Sequence, residues 1–144
     1  MAELHLVTGG SGYFGNVLVE KLRARGHRVR IFDLNNASDR ADDVEFHAGD
    51  IRDAAAIRKA CEGVNVVYHN VAMVPLAKDK KQFWSVNRDG TKFMLYAALD
   101  ARVSKVVYTS SSAVFGVPEK NPVDESMTPT PGEDYGLAKL AAKL

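Results

Sequence analysis

The sequence predicts an α/β fold, a doubly wound parallel sheet with helices on both faces. Three observations carry this. First, the apolar run Leu4, Leu6, Val7 ends in Gly9, Gly10, Gly12 and Gly15 and gives way to apolar residues at helical spacing, Phe14, Leu18 and Leu22. Second, Val64 to Asn70 is nearly continuous in apolar residues, the pattern of a strand covered on both faces. Third, strand-like and helix-like segments alternate along the chain, the order that builds a parallel sheet through crossover helices.

The elements follow in order. Gly26 stands where a helix C-terminal glycine belongs, closing the first helix. His27 to Asp33 is a second strand with Val29 and Ile31 on one face, and Asn35 to Asp43 is a polar loop. Val44 to His47 makes a short third strand and Gly49-Asp50 turns out of it. Asp53 is an N-cap for a helix over Ala54 to Glu62, stopped by Gly63. After the apolar fourth strand, Pro75 interrupts the chain. A long helix is expected from Lys80 to Ala101, with Phe83, Val86, Gly90, Met94 and Ala97 on its buried stripe. Phe83 and Trp84 are expected to be packing groups. Val103 to Ser110 is the fifth strand, the chain is then irregular to Glu133, and Tyr135 to Leu144 begins a last helix.

Composition narrows the function classes. The 144 residues amount to about one domain, with 46% hydrophobic and 26% charged residues, as in an ordinary globular protein. A net charge of +1 argues against nucleic acid or an acidic membrane as a partner. Arg23, Arg25, His27, Arg28 and Arg30 are expected on a solvated flank, and Lys78 to Lys81 is a similar exposed run. Cys61 is the one cysteine, so no internal disulfide can form, and a buried thiol in a reducing cytoplasm is expected. No residues stand at metal-ligand spacing around it, and no metal site is expected. No segment is long and apolar enough to span a bilayer, and the first strand begins too early for a signal peptide.

The glycine loop fits two registers. Gly10-x-Gly12-x-x-Gly15 is the general dinucleotide fingerprint, and Thr8-Gly9-x-x-Gly12-x-x-Gly15 is a wider-spaced form. In either register, a strand, a tight turn and a helix N-terminus make a cradle for pyrophosphate. Asp33 lies 18 residues after Gly15, where an acidic side chain meets ribose hydroxyls. Its charge opposes a 2′-phosphate and favours NAD over NADP, with Arg28 and Arg30 as the nearby cations that could argue the other way. In a parallel sheet ligands bind beyond the C-terminal strand ends. Asp33, Asp50, Asn70 and Ser110 to Ser112 all fall there.

A second constellation is Ser110-Ser111-Ser112 followed by Tyr135-x-x-x-Lys139. Four residues along a helix place Tyr135 and Lys139 on one face. A phenol ordinarily ionises near pH 10. A cation about 4 Å away offsets on the order of 4 kcal/mol of that cost in a partly screened site. The trio is therefore equipped to move the proton of a secondary alcohol while a serine hydroxyl holds the substrate oxygen.

With these motifs the chain resembles the extended branch of the short-chain dehydrogenase/reductase superfamily, the NAD-dependent epimerase/dehydratase family. The residues that carry the resemblance are Thr8 to Gly15, Asp33, Gly49-Asp50-Ile51, Val86-Asn87-Arg88-Asp89-Gly90-Thr91, Val107 to Ser112, Val114-Phe115-Gly116 and Tyr135-Gly136-Leu137-Ala138-Lys139. The match covers essentially the whole chain and selects the wider glycine register. It implies a Rossmann domain with NAD held by Gly9, Gly12, Tyr13, Phe14, Gly15, Asp33, Asp50, Ile51, Asn70, Val71, Ala72 and Lys139. Asp50 and Ile51 should border the adenine. Ser111, Tyr135 and Lys139 are the implied catalytic residues, with Ser112 the second choice for the serine. Asn87 would support the site from its helix.

Departures from the family pattern matter. Val71 stands where a smaller residue is usual, Ala138 replaces a frequent serine, and Arg102 occupies a glycine position at the end of the long helix. A left-handed Arg102 would cost about 1–2 kcal/mol. Ser112-Ala113 lacks the acidic residue of dehydratases. The segment before Asn87 lacks a proline common in nucleotide-sugar epimerases and is closer to 3β-hydroxysteroid dehydrogenase-like relatives, whereas Val114-Phe115-Gly116 points back to the sugar group. The resemblance implies a small-molecule substrate, a nucleotide sugar ahead of a steroid, and a homodimer through the long helix and the Tyr135 helix. Family members continue well past Lys139 into a substrate domain. Residues 1–144 are therefore expected to be a partial NAD-binding domain, which could also serve as a non-catalytic NAD-binding module.

Overall fold

The computed structural model describes residues 2–74 and 79–143. The expected break at Pro75, the start of the Lys78 charge run and Leu144 lie outside them. Five parallel strands form one sheet in the order β3-β2-β1-β4-β5. They are β1 (Leu4–Thr8), β2 (Arg28–Asp33), β3 (Glu45–Ala48), β4 (Val66–His69) and β5 (Lys105–Tyr108). Helices α1 (Tyr13–Ala24), α2 (Ala54–Ala60), α3 (Lys80–Gln82), α4 (Thr91–Asp100) and α5 (Asp134–Lys143) flank the sheet. The expected doubly wound fold is the observed one.

Side-chain alternation along the strands builds two cores. Leu4, Leu6, Phe32 and Val67 pack against Ile57 and Ala60 of α2 and Met94, Ala97 and Ala98 of α4. On the opposite face Val7, Val29 and Ile31 pack against Val19 and Leu22 of α1. Each fully buried Val, Leu, Ile, Phe or Met among them contributes about 1.5–3 kcal/mol. All five residues of β1 are buried, as befits the central strand.

Several boundaries differ from the sequence expectation. The fourth strand begins at Val66 because Asn65 is used as a clamp. Its Oδ1 accepts the Leu4 N–H at 2.9 Å, and its carbonyl accepts the Ser104 N–H at 2.9 Å. The strand ends at His69 because the Asn70 and Val71 N–H groups turn to the Thr8 hydroxyl. The fifth strand is shorter than Val103 to Ser110: the Val103 N–H closes back onto the Ala98 carbonyl at 2.9 Å, and β4 offers no strand partner beyond His69. The third strand is shifted by one residue, and α2 stops at Ala60 before the positive-φ Gly63. Asp53 caps α2 as expected, accepting the Ala55 and Ala56 N–H groups.

The long helix is continuous from Lys80 to Asp100, but Phe83–Gly90 is a π-helical stretch between α3 and α4. The expected stripe of Phe83, Val86, Gly90, Met94 and Ala97 is buried, and the wider turn brings Asn87 onto the same face. Arg102 takes the left-handed conformation at φ 55°, as the family glycine would. The segment expected to be irregular holds a 3₁₀ turn, Ser112–Phe115, because the Ser111 Oγ accepts the Ala113 N–H and starts it. Among the described residues no helix is long and apolar enough to cross a membrane.

Candidate active site

The glycine loop sits at the C-terminal end of β1. Gly9 has φ +69°, and its N–H donates to the Phe32 carbonyl at 2.9 Å. A methyl group on Gly15 would overlap the Gly9 carbonyl oxygen, and one on Gly10 would come within 2.7 Å of Ile31. Gly12 is different. A methyl there meets only the Gly9 oxygen, at 3.4 Å, which is ordinary contact. The fold needs glycine at 9, 10 and 15, whereas at 12 the missing side chain only leaves space above α1. Gly12 is the N-cap of that helix with no side-chain cap, and its first turn carries no acidic residue. The exposed N–H groups and positive helix end therefore suit an anion.

Beyond the loop lies a cleft of about 430 Å³. Gly9, Ser11 and Gly12 form one wall; Asp33, Leu34 and Asn35 follow β2; Gly49 to Arg52 follow β3; Asn70, Val71 and Ala72 follow β4; and Val86 closes the floor. Asp33 is tied to the loop, its Oδ2 accepting the Ser11 N–H at 3.1 Å and its Oδ1 the Asn35 N–H at 3.3 Å. Arg52 pairs with Asp50 through three side-chain hydrogen bonds of 2.9, 3.1 and 2.5 Å, and this holds the Asp50 carboxyl below its usual range. Arg28 and Arg30 point elsewhere: both bind Glu45, and Arg30 also donates to the Ala60 and Glu62 carbonyls. Two buried polar atoms of the cleft residues, Ser11 Oγ and Asn70 Nδ2, have no partner among the described residues. Such atoms are costly unless something else binds them.

Of the residues expected around the cofactor, Gly9, Gly12, Asp33, Asp50, Ile51, Asn70, Val71 and Ala72 line this cleft. Tyr13, Phe14 and Gly15 do not. Tyr13 and Phe14 open α1 with side chains 92% and 58% exposed, leaving only their backbone N–H groups to face an anion.

A buried polar chain, whose linkage sequence reasoning missed, supports the cleft. Thr91 Oγ1 donates to the Asn87 carbonyl at 2.7 Å, so it accepts from His69 Nε2 at 2.9 Å. His69 Nδ1 then accepts from Thr8 Oγ1 at 2.8 Å, and Thr8 Oγ1 accepts the Asn70 and Val71 N–H groups. Burial, with the charge of Lys139 adding to it, lowers the His69 pKa to about 3, which keeps the ring neutral. Asn87 meanwhile clamps Met73, accepting its N–H at 2.8 Å and donating to its carbonyl at 3.0 Å. The wall after β4 is thus fixed at both ends. The available signal was polar residues at apolar positions: Thr8, His69 and Thr91.

Lys139 lies on α5 with 2% exposure, its Nζ donating to the Thr109 carbonyl at 2.8 Å and lying 4.7 Å from the centre of the Tyr108 ring. Burial lowers its pKa to about 8. Thr109 in turn donates to Asn70 Oδ1 at 2.5 Å, which links α5 to the cleft wall. Tyr135 is half-buried one turn earlier, edge-on to Phe83 at 6.3 Å, and an ion pair of 2.9 Å between Lys80 and Asp134 clips that turn to α3. Tyr108 carries a buried hydroxyl without a partner among the described residues, and burial and the neighbouring Tyr135 push its pKa up to about 12. Ser111 and Ser112 line a cavity of about 560 Å³ with Glu125 and Met127. Tyr135 lines another, of about 310 Å³. The structure therefore holds Tyr135 and Lys139 one turn apart on one helix, with Ser111 in the wall of one cavity and Tyr135 in the wall of another.

Comparison with known proteins agrees with this architecture. Residues 5–144 match the model of the NAD dependent epimerase/dehydratase family. The chain is 37% identical over 121 residues to human sterol-4-alpha-carboxylate 3-dehydrogenase (decarboxylating), covering 83% of this chain and 32% of that protein. It is 33% identical over 150 residues to UDP-glucose 4-epimerase of Streptomyces lividans, covering 98% and 46%. A crystal structure of a short-chain dehydrogenase/reductase superfamily protein from Agrobacterium tumefaciens with bound NAD superposes with a TM-score of 0.91 at 35% identity, covering 98% and 43%. The chain thus spans about a third to a half of the length of these relatives.

Proposed function

This chain belongs to the NAD-dependent epimerase/dehydratase family, and on that premise we propose that it is the cofactor-binding portion of an NAD-dependent oxidoreductase or epimerase that moves a hydride at a secondary alcohol or ketone. One observation carries the reading. An uncapped helix N-terminus, an acidic strand end and two buried polar atoms without partners among the described residues all belong to one cleft at the strand ends. That donor set fits NAD. Gly9, Gly12 and Gly15, with the N–H groups of Tyr13 and Phe14, would take the pyrophosphate. Asp33 would take the ribose hydroxyls, and Asp50 and Ile51 would border the adenine. Asn70, Val71, Ala72 and Lys139 would hold the remaining half. With Arg28 and Arg30 engaged elsewhere and Arg52 paired to Asp50, no free arginine of the cleft favours a 2′-phosphate.

When bound, the nicotinamide supplies the acceptor or donor of the hydride. The protein's part is proton handling and positioning. In this reading the Tyr135 hydroxyl exchanges a proton with the substrate oxygen, Ser111 donates a hydrogen bond to it, and Lys139 supplies positive charge from below. A nucleotide sugar is the first substrate class, in line with the epimerase relative. A sterol-like alcohol is the second, favoured by the sterol dehydrogenase relative and by the proline-free entry to Asn87. The same proposal includes a homodimer through the long helix and α5, where Leu95, Tyr96 and Leu99 are 43%, 55% and 73% exposed and Leu137 is 41% exposed.

Titration of NAD and NADP against the fluorescence of Trp84, the one tryptophan, tests the cofactor assignment. NAD should bind the tighter. Gly12→Ala should leave the urea midpoint unchanged, because the fold tolerates a methyl there, yet weaken NAD at least about tenfold. Tighter binding of NADP, or unchanged NAD affinity in Gly12→Ala, would sink the reading.

A further inference from the structure

At the end of the sheet opposite the cleft, three potential ligands converge that no part of the cofactor chemistry uses. We propose that Glu3, His5 and His27 form a binding site for one divalent transition-metal ion of the zinc class. Glu3 and His5 are two residues apart at the start of β1, so they share a face. The parallel register sets Leu4 beside Arg28, and the Arg28 N–H donates to the Glu3 carbonyl at 3.0 Å, so His27 stands level with Glu3. His27 is itself placed by the end of α1: Gly26 turns at φ +81°, and the His27 N–H closes onto the Leu22 carbonyl at 3.2 Å.

One ligating atom from each of the three residues lies within 4.8 Å of the others. A tetrahedral zinc ion with bonds of about 2.0–2.1 Å needs its ligand atoms roughly 3.3 Å apart. His5 Nε2 and Glu3 Oε2 are already 3.3 Å apart, so small rotations of exposed Glu3 and half-buried His27 close the set. His5 is the fixed member of the set: its side chain is 5% exposed and Nε2 is the nitrogen that faces Glu3. Two imidazoles and one carboxylate are a donor set suited to zinc and its neighbours. His27 lies 22 residues beyond His5 in the sequence and only strand pairing brings it to Glu3 and His5, which is why ligand spacing along the chain gave no sign of the site.

Calorimetric titration of the metal-free chain with zinc chloride tests this. The expected result is saturable uptake of one ion per chain, at least tenfold weaker in both His27→Ala and Glu3→Gln and unchanged in His47→Ala. Circular dichroism checks that each variant is folded. If His27→Ala fails that check, Glu3→Gln decides, since its side chain is 52% exposed. Absence of one-to-one uptake overturns the proposal, as does wild-type affinity in the folded variants. Contact between the His5 and His27 rings, whose centroids are 4.1 Å apart, would then be simple packing.

Discussion

Lys139 is a cation held at 2% exposure with one carbonyl and one aromatic face for company. Its pKa of about 8 against an ordinary 10.5 has a definite thermodynamic sign. Between those values the unfolded chain binds more protons than the folded one, so stability rises with pH across that window. The burial penalty is fully present below about pH 8 and fades toward 10.5. Comparing urea midpoints of the wild type and Lys139→Met should show the wild type gaining about 2 kcal/mol relative to the variant between pH 7.5 and 9.5. Parallel pH dependences would contradict it. Asp33 carries the other residue-scale prediction. Asp33→Ser removes the charge that opposes a 2′-phosphate and should raise NADP affinity relative to NAD at least about tenfold, measured by the same fluorescence titration.

At the scale of elements, the wall after β4 depends on a chain of hydroxyls and one neutral ring that spans β1, β4 and α4. Thr91→Val removes the acceptor of the His69 Nε2 proton and should cost about 1–3 kcal/mol, with Thr91→Ser restoring most of it. The same burial makes the fold acid-sensitive. His69 has a pKa of about 3 when folded and 6.5 ordinarily, so its contribution is lost as pH falls below 6.5. Denaturation at pH 5 against pH 7 should register a loss of about 2 kcal/mol from this ring. Nitrogen chemical shifts should report His69 with its proton on Nε2 at both pH values. The sequence made some of this legible and not the rest, for physical reasons. Gly9, Gly15, Asp53 and Arg102 act through local backbone geometry, and local sequence announces such needs. Thr8, His69 and Thr91 meet only because parallel pairing sets Thr8 opposite His69 and a π-helical stretch turns Asn87 inward. No local pattern encodes that meeting.

The molecule as a whole separates its tasks in space. Its cleft sits beyond β1 to β4, Tyr135 and Lys139 sit on α5, and Ser111 lines a different cavity from Tyr135. In the proposed reading cofactor capture needs only the first, whereas hydride transfer would need a substrate oxygen to meet Ser111 and Tyr135 together, and apo geometry of this kind tightens only when the substrate is held. Some apolar surface is left uncovered as well: Val107 of β5 is 37% exposed, Val117 95% and Leu137 of α5 41%. The 144-residue chain is therefore expected to bind NAD stoichiometrically and to show no steady reduction of NAD with UDP-glucose or with a 3β-hydroxysterol. Absorbance at the reduced-nicotinamide band, followed in the presence of each substrate, reads this directly. Sustained turnover would mean that Ser111 and Tyr135 close on one substrate without further chain, and would refute the division of labour argued here. Binding without turnover, abolished by Gly12→Ala, would place recognition of the cofactor within these residues and assembly of the reacting centre beyond them.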